Sequence, residues 1–223
     1  MKGEHKMDKE KIDKELQEHI TNHSPCIFGK SVIKSKNYDL KIYRSLTKIK
    51  SIMKLYNDLL TFKNIQKEKY GNNFSSFIAV FLDEDISNEE DFDNKFWNIL
   101  NILNQKDKLY HEWDDSVSSS PSDSDFSFSF GGRAYFVLGM NQYSSRLSRK
   151  FKYPTLVFNA RYYFDLLREN GTMDKYRDII REKDSNTQGT INPNLINYSD
   201  NDSEAKLYSG MEMSADWICP FKP

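Results

Sequence analysis

The residues of this 223-residue sequence with the most evident chemical capacity lie between Asp123 and Arg149. Phe126-Ser127-Phe128-Ser129-Phe130 alternates strictly. In an extended chain its three rings face one way, and the hydroxyls of Ser127 and Ser129 face the other, where they can offer hydrogen bonds to a pocket. Gly131-Gly132 permits a bulge or a close backbone approach. Arg133, beside the two glycines, can hold a carboxylate or a propionate in a planar fork. The same residues also fit an amphipathic strand with its serines toward water and Arg133 in a surface ion pair. Downstream, Arg146, Arg149 and Lys150 form a basic cluster that can take an anion or stand as a solvated face. Near the C-terminus, Trp217 precedes Cys219-Pro220-Phe221. A cysteine thiolate can ligate haem iron and favours O–O cleavage, and the proline would stiffen such a ligand turn. A buried thiol is the plainer reading of Cys219.

Other chemistries find little support. There is no Walker A loop, GxGxxG, HExxH or CxxC. His5, His19 and His23 sit in a polar N-terminal stretch, so a zinc cluster is not expected. A Ser-His-Asp triad would have to use His111, which lies in a polar loop rich in Ser and Asp and fits a solvated histidine equally well. Lys+Arg number 32 against 33 Asp+Glu, a formal net charge of −1. That balance argues against a dedicated nucleic-acid binder, which carries a basic excess. The N-terminus has no apolar core of a secretory signal, and no apolar run approaches the ~18 residues of a membrane span. A cytosolic protein is therefore expected, with Cys26 and Cys219 as reduced thiols.

The elements that must position these residues follow from periodicity. Aromatics make up 14% of the chain, enough for a real core. Residues 1–22 read as a charged helical extension through Ile12, Leu16 and Ile20, ended by His23-Ser24-Pro25. Tyr38 to Tyr43 alternates as a half-buried strand. Leu46, Ile49, Met53, Tyr56, Leu59 and Leu60 predict a helix over about 47–66. Phe74 to Leu82 reads as a strand. Ser87 with Glu90 predicts a capping box for the helix carrying Phe92, Phe96, Ile99, Leu100 and Leu103. Strands are expected at 126–130, 134–140 and 155–158. Asn159 is expected to cap the next helix and Gly171 to end it, before a further helix at about 173–183. Trp217, Cys219 and Phe221 predict that the C-terminal segment docks on the body. The fold class expected is α+β: residues 23–223 form one domain, a mainly antiparallel sheet with packed helices.

The stretch SDFSFSFGGRAYFVLGM, followed by SSRLSRKFKYPTLVFN, resembles the YqcI/YcgG family. Ser24-Pro25-Cys26, RDIIREKD at Arg177 to Asp184, GTINP at Gly189 to Pro193, Ser203-Glu204-Ala205, Tyr208-Ser209-Gly210 and the closing Trp217 to Phe221 match in the same order. The family includes haem-dependent enzymes that N-hydroxylate guanidino compounds. The resemblance thus implies an O2-dependent monooxygenase with a haem cofactor, an arginine-like small-molecule substrate and an external electron donor. A guanidinium needs carboxylates or an aromatic face, which makes Asp114, Asp123, Asp184 and Glu204 the acidic candidates, with Ser127 and Ser129 beside them. Arg133 suits a propionate or the substrate carboxylate.

Two departures bear on the iron ligand. Where the family pattern usually reads Gly-Leu-His-Pro, this chain has Gly139-Met140-Asn141-Gln142. Where a second histidine usually follows the next strand, it has Asn159-Ala160-Arg161-Tyr162-Tyr163-Phe164. Cys219, Cys26, His111 and the phenols of Tyr162 and Tyr163 remain as candidate ligands. The other reading is a divergent, non-catalytic member that binds a small molecule or a protein partner.

Overall fold

Ser76–Phe81, the sequence SFIAVF, is buried along its whole length as an interior strand of the sheet. A strand apolar on both faces must be covered on both. The structure, a computed structural model, describes residues 2–196, 202–214 and 216–223, with side chains described over 9–195 and in the two later stretches. In chain order the described residues form α1 (Lys2–His23), α2 (Ile27–Ser35), β1 (Tyr38–Tyr43), α3 (Ile49–Tyr70), β2 (Ser76–Phe81), α4 (Glu89–Asp107), β3 (Phe128–Ser129), β4 (Ala134–Met140), β5 (Thr155–Ala160), α5 (Tyr162–Glu169), α6 (Met173–Gln188) and α7 (Pro193–Ile196). The fold is α+β. Its five strands lie in the order β1-β2-β5-β4-β3. Only β1 and β2 pair in parallel, joined by the crossover helix α3, and the remaining pairs are antiparallel.

The two faces of the sheet are filled differently. On one, Phe77, Ala79, Phe81, Tyr135, Val137, Leu156 and Phe158 pack against α3 and α4 in the main apolar core. Phe221 of the C-terminal segment is 4% exposed and lies against Trp97, Trp113, Phe126 and Phe128, so the expected docking is found. On the other face, Leu40, Ile78, Val80 and Met140 meet Ile12 and Leu16 of α1 and Phe151 in a smaller cluster. Among the described residues, no helix is long and apolar enough to cross a membrane.

Several local expectations shift. The cap of α4 is Asn88, one residue later than the Ser87–Glu90 box: its side chain accepts the Asp91 N–H at 2.8 Å, while Asp91 accepts the Ser87 N–H at 2.9 Å. Asn159 does not cap α5. It stays in β5, where its amide donates to the Phe136 carbonyl and its oxygen accepts the Ser76 hydroxyl at 2.6 Å. The Phe/Ser stretch pairs as a ladder only at 128–129, yet its alternation is real: Phe126, Phe128 and Phe130 enter the main core. Ser127 and Ser129 are buried rather than turned to water. Gly131 and Gly132, at φ 62° and 69°, form the two-residue turn of a hairpin in which Phe130 and Arg133 exchange backbone hydrogen bonds.

Candidate functional site

Side chains on the second face of β2, β4 and β5 point into a cavity of about 250 Å³. Phe136, Leu138 and Val157 are only half-buried there, while their neighbours Tyr135, Val137, Leu156 and Phe158 on the opposite face are closed off. The cavity is roofed by Leu16 and Ile20 of α1, Phe28 and Val32 of α2, Phe164 of α5 and Ile180 of α6. Its walls are thus mostly apolar, with a few charged groups placed between them.

Cys26 is the one sulfur donor brought to this cavity by a cysteine among the described residues. It is the N-cap of α2, and its sulfur accepts the Gly29 N–H at 3.4 Å. Ser24 Oγ accepts the Cys26 N–H and fixes the turn ahead of the helix. Burial pushes the thiol pKa up, while the Gly29 and Phe28 N–H groups and the Arg149 charge act in the opposite sense. The helix was not legible in advance: its nine residues give too short a period.

Five arginines line the cavity: Arg149, Arg161, Arg168, Arg177 and Arg181. Arg161 lies 3.7 Å from Glu204 and 3.4 Å from Asp165, and Arg168 lies 2.6 Å from Asp165. Arg177 pairs with Asp174 and Arg181 with Asp178, each one turn away on α6. Arg149 differs. It donates to the carbonyls of Gly139 at 3.0 Å and Leu207 at 3.1 Å, and no carboxylate of a described residue lies within ion-pairing distance. Burial lowers its pKa to about 10, against the opposing charges of Cys26 and Asp184.

Two carboxylates reach the cavity wall. Asp184 is committed to Arg146 at 2.7 Å and to the Asn192 N–H at 2.6 Å. Glu204 is 3% exposed. Its Oε1 accepts the hydroxyls of Ser127 and Tyr208, both at 2.6 Å. Burial raises the Glu204 pKa, with Arg161, Ser127 and Tyr208 pulling the other way.

The fold therefore collects Cys26, Asp184, Glu204 and Arg161 in one place, with Ser127 one hydrogen bond behind Glu204. It leaves other candidates elsewhere. Cys219 packs half-buried against the main core on the opposite face of the sheet, where burial pushes its thiol up to about 12. Arg133 donates to Gln66 Oε1 at 2.6 Å and to the Lys63 carbonyl, outside the cavity. Asp123 is an exposed loop residue accepting the Ser118 hydroxyl at 2.7 Å. Asp114 latches the start of β4 by accepting the Ala134 N–H at 2.7 Å. Ser129 accepts the Asp114 N–H. His111 lies 3.0 Å from Asp107 and lines a separate cavity of about 220 Å³ together with Ser129. Tyr162 and Tyr163 lie with their rings tilted against each other away from the cavity, and the Tyr163 hydroxyl lies 3.1 Å from Ser75 Oγ. Asn141 is buried, and its side chain accepts the Tyr143 N–H. Among the described residues, no three His, Cys, Asp or Glu side chains converge to hold a metal ion.

Arg168, Arg177 and Arg181 were not singled out from the sequence. Their signal was present: Arg177 and Arg181 stand four apart on one helix face, and Arg161 and Arg168 stand seven apart.

Comparison with known proteins agrees in extent. The chain is 26% identical over 195 residues, 84% of its own length and 75% of the relative's, to the uncharacterized protein YqcI of Bacillus subtilis strain 168. No solved structure matches it significantly. The model of the YqcI/YcgG family matches residues 12–222, from the middle of α1 to the docked C-terminal segment, and the chain belongs to that family.

Proposed function

We propose that this protein is a haem-dependent monooxygenase that N-hydroxylates a guanidino compound, and that the cavity on the second face of the sheet marks its site, which at about 250 Å³ must open further to take haem together with substrate. The observation that carries the reading is the placement of Cys26: a sulfur at a helix N-terminus, accepting a backbone N–H, opening on an apolar cavity with arginines in its wall. Haem needs those three things from a protein: an axial donor, apolar walls for its faces and cations for its propionates. The Gly29 and Phe28 N–H groups at the α2 N-terminus work toward thiolate, against the burial that raises the Cys26 thiol in the absence of a metal, and Phe28, Phe136 and Phe164 offer flat apolar surface. Arg149, which has no carboxylate partner among the described residues, suits a propionate or a substrate carboxylate better than Arg133 does. Bound haem supplies the chemistry of O2 reduction, with electrons from an external donor.

The chain's own residues would then orient and select. Glu204 lines the cavity, and its Oε2 has Arg161 at 3.7 Å and no hydrogen-bond partner among the described residues, so this oxygen would accept an N–H of a guanidino group. The apolar roof from α1, α2 and α6 would exclude water and strengthen that contact. One observation favours a second reading: Arg149, a buried cation with no carboxylate partner among the described residues, suits a non-catalytic member that binds a small anion.

Expression with a haem supply, followed by iron quantification and a ferrous–CO spectrum, separates the two. The enzyme reading expects one haem per chain and a thiolate-type CO spectrum, both lost in Cys26→Ala and retained in Cys219→Ala and His111→Ala. Incubation with L-arginine, O2 and a reductant should add one oxygen atom to the amino acid. A folded protein with no haem under these conditions overturns the enzyme reading and leaves the anion-binding one.

A further inference from the structure

Glu204 sits in a hydrogen-bond arrangement with more acceptors than protons. Its Oε1 faces two hydroxyls, Ser127 and Tyr208, each at 2.6 Å. Both hydroxyls also lie within reach of the Tyr135 carbonyl, at 3.1 and 2.9 Å respectively. The Tyr208 oxygen is held in place by the Phe128 N–H at 3.1 Å. Each hydroxyl carries a single proton, so each must choose between Glu204 and Tyr135.

That choice gives the site two states with the same heavy-atom positions. With Glu204 charged, both hydroxyls donate to Oε1. With Glu204 neutral, the carboxyl carries its own proton, and one hydroxyl turns to the Tyr135 carbonyl. Neither state leaves a hydroxyl unpaired, so the hydrogen-bond part of the penalty is avoided in both, while burial still disfavours the charged form. The second oxygen is placed for exchange. Among the described residues Oε2 has no hydrogen-bond partner: Arg161 Nη1 stands 3.7 Å away and is committed to the carbonyls of Asp125 at 3.1 Å and Phe126 at 3.0 Å. The other charges facing Glu204 come from α5, where Arg168 acts at longer range and Asp165 offsets both arginines.

We propose that Glu204 holds an exchangeable proton at the cavity wall, and that a cationic N–H ligand binding at Oε2 displaces it, with Ser127 and Tyr208 reorienting to serve the carboxylate. The proton balance is simple. The O–H bond on Glu204 breaks, its electron pair stays on the carboxylate, the proton leaves to solvent, and the ligand keeps its own protons. The ligand part of this inference rests on the guanidino reading above, whereas the proton-holding part does not.

Infrared spectroscopy of the free protein across pH tests the second part alone. A protonated-carboxyl C=O band should disappear as pH rises and be absent from Glu204→Gln. In Ser127→Ala the midpoint should move up by about 1–2 pH units, the loss of one hydrogen bond to the charged form. Tyr208→Phe should shift it in the same direction, but it also orphans the Phe128 N–H, so the smaller Ser127→Ala change is the primary variant. Absence of a Glu204-dependent band, or an unmoved midpoint in Ser127→Ala, overturns the proposal.

Calorimetric titration with L-arginine in two buffers of different ionisation enthalpy tests the ligand part. Below the infrared midpoint, wild type should release close to one proton per ligand bound, and Glu204→Gln none. Proton uptake, or binding with no proton exchange, overturns displacement. If the infrared band titrates as expected and L-arginine does not bind, the guanidino reading fails and the proton-holding acid stands.

Discussion

Arg146 and Asp184 meet at 2.7 Å with both side chains almost fully buried, tying the segment after β4 to α6. The same guanidinium donates to the Thr190 hydroxyl at 2.9 Å and to its carbonyl at 2.7 Å, while Asp184 also accepts the Asn192 N–H. One node thus clamps three pieces of chain, which carry Arg149, Arg181 and Asn192 of the cavity wall. Arg146→Met leaves Asp184 buried without its cation, which should destabilise by about 3–5 kcal/mol in urea unfolding. Arg146→Lys should recover only part of that, because a point charge cannot serve Asp184 and Thr190 as a planar fork does.

Gly139 marks where β4 has no room. A Cβ there would stand 2.7 Å from Phe92 Cε1 and 2.8 Å from the Ser209 carbonyl oxygen, and the second of these is backbone. The Gly139 N–H also donates to the Tyr208 carbonyl at 2.7 Å, so the two segments cannot separate without losing a buried hydrogen bond. Gly139→Ala should cost about 1–3 kcal/mol through overpacking. Because the strained contact lies next to Tyr208, the infrared band of Glu204 should change as well.

The start of α4 offers a sharp comparison between neighbours. Asn88 supplies the side-chain cap to the Asp91 N–H, whereas Ser87 supplies its backbone N–H to the Asp91 carboxylate. Asn88→Ala should therefore lower stability by about 1 kcal/mol, and Ser87→Ala by clearly less, in matched denaturant titrations. A larger loss from Ser87→Ala than from Asn88→Ala would place the capping box one residue earlier.

Glu204 also makes stability depend on pH in a stated direction. Burial raises its pKa above that of the unfolded chain. Folding is therefore favoured by the neutral form. The contribution is complete below the unfolded value and is lost as pH rises through the folded one. Wild type should lose stability across that window relative to Glu204→Gln, which has no proton to give up. Melting temperatures of the pair should converge in the acid range and diverge above it; parallel curves would contradict the assignment.

Much of this architecture was legible along the chain. The helical spacing of Met53, Tyr56 and Leu59, and of Phe92, Phe96 and Leu103, placed α3 and α4, because an amphipathic helix repeats its burial every turn. The alternation Phe126-Ser127-Phe128 told which atoms share a side, and Trp217 with Phe221 foretold a docked C-terminal segment, because aromatic area is costly to leave in water. Local pattern could not say what the far side of an alternation touches. Ser127 finds Glu204 across 77 residues, and Cys26 joins Arg149 at one cavity only because α2 folds back over the sheet face that carries Phe136 and Val157. Arg133, beside its two glycines, looked like an anion fork, but the hairpin turn aims it at Gln66. Sequence periodicity reports one element's own buried side; which buried sides meet depends on strand order and crossover, and those are decided by the packing of the whole chain.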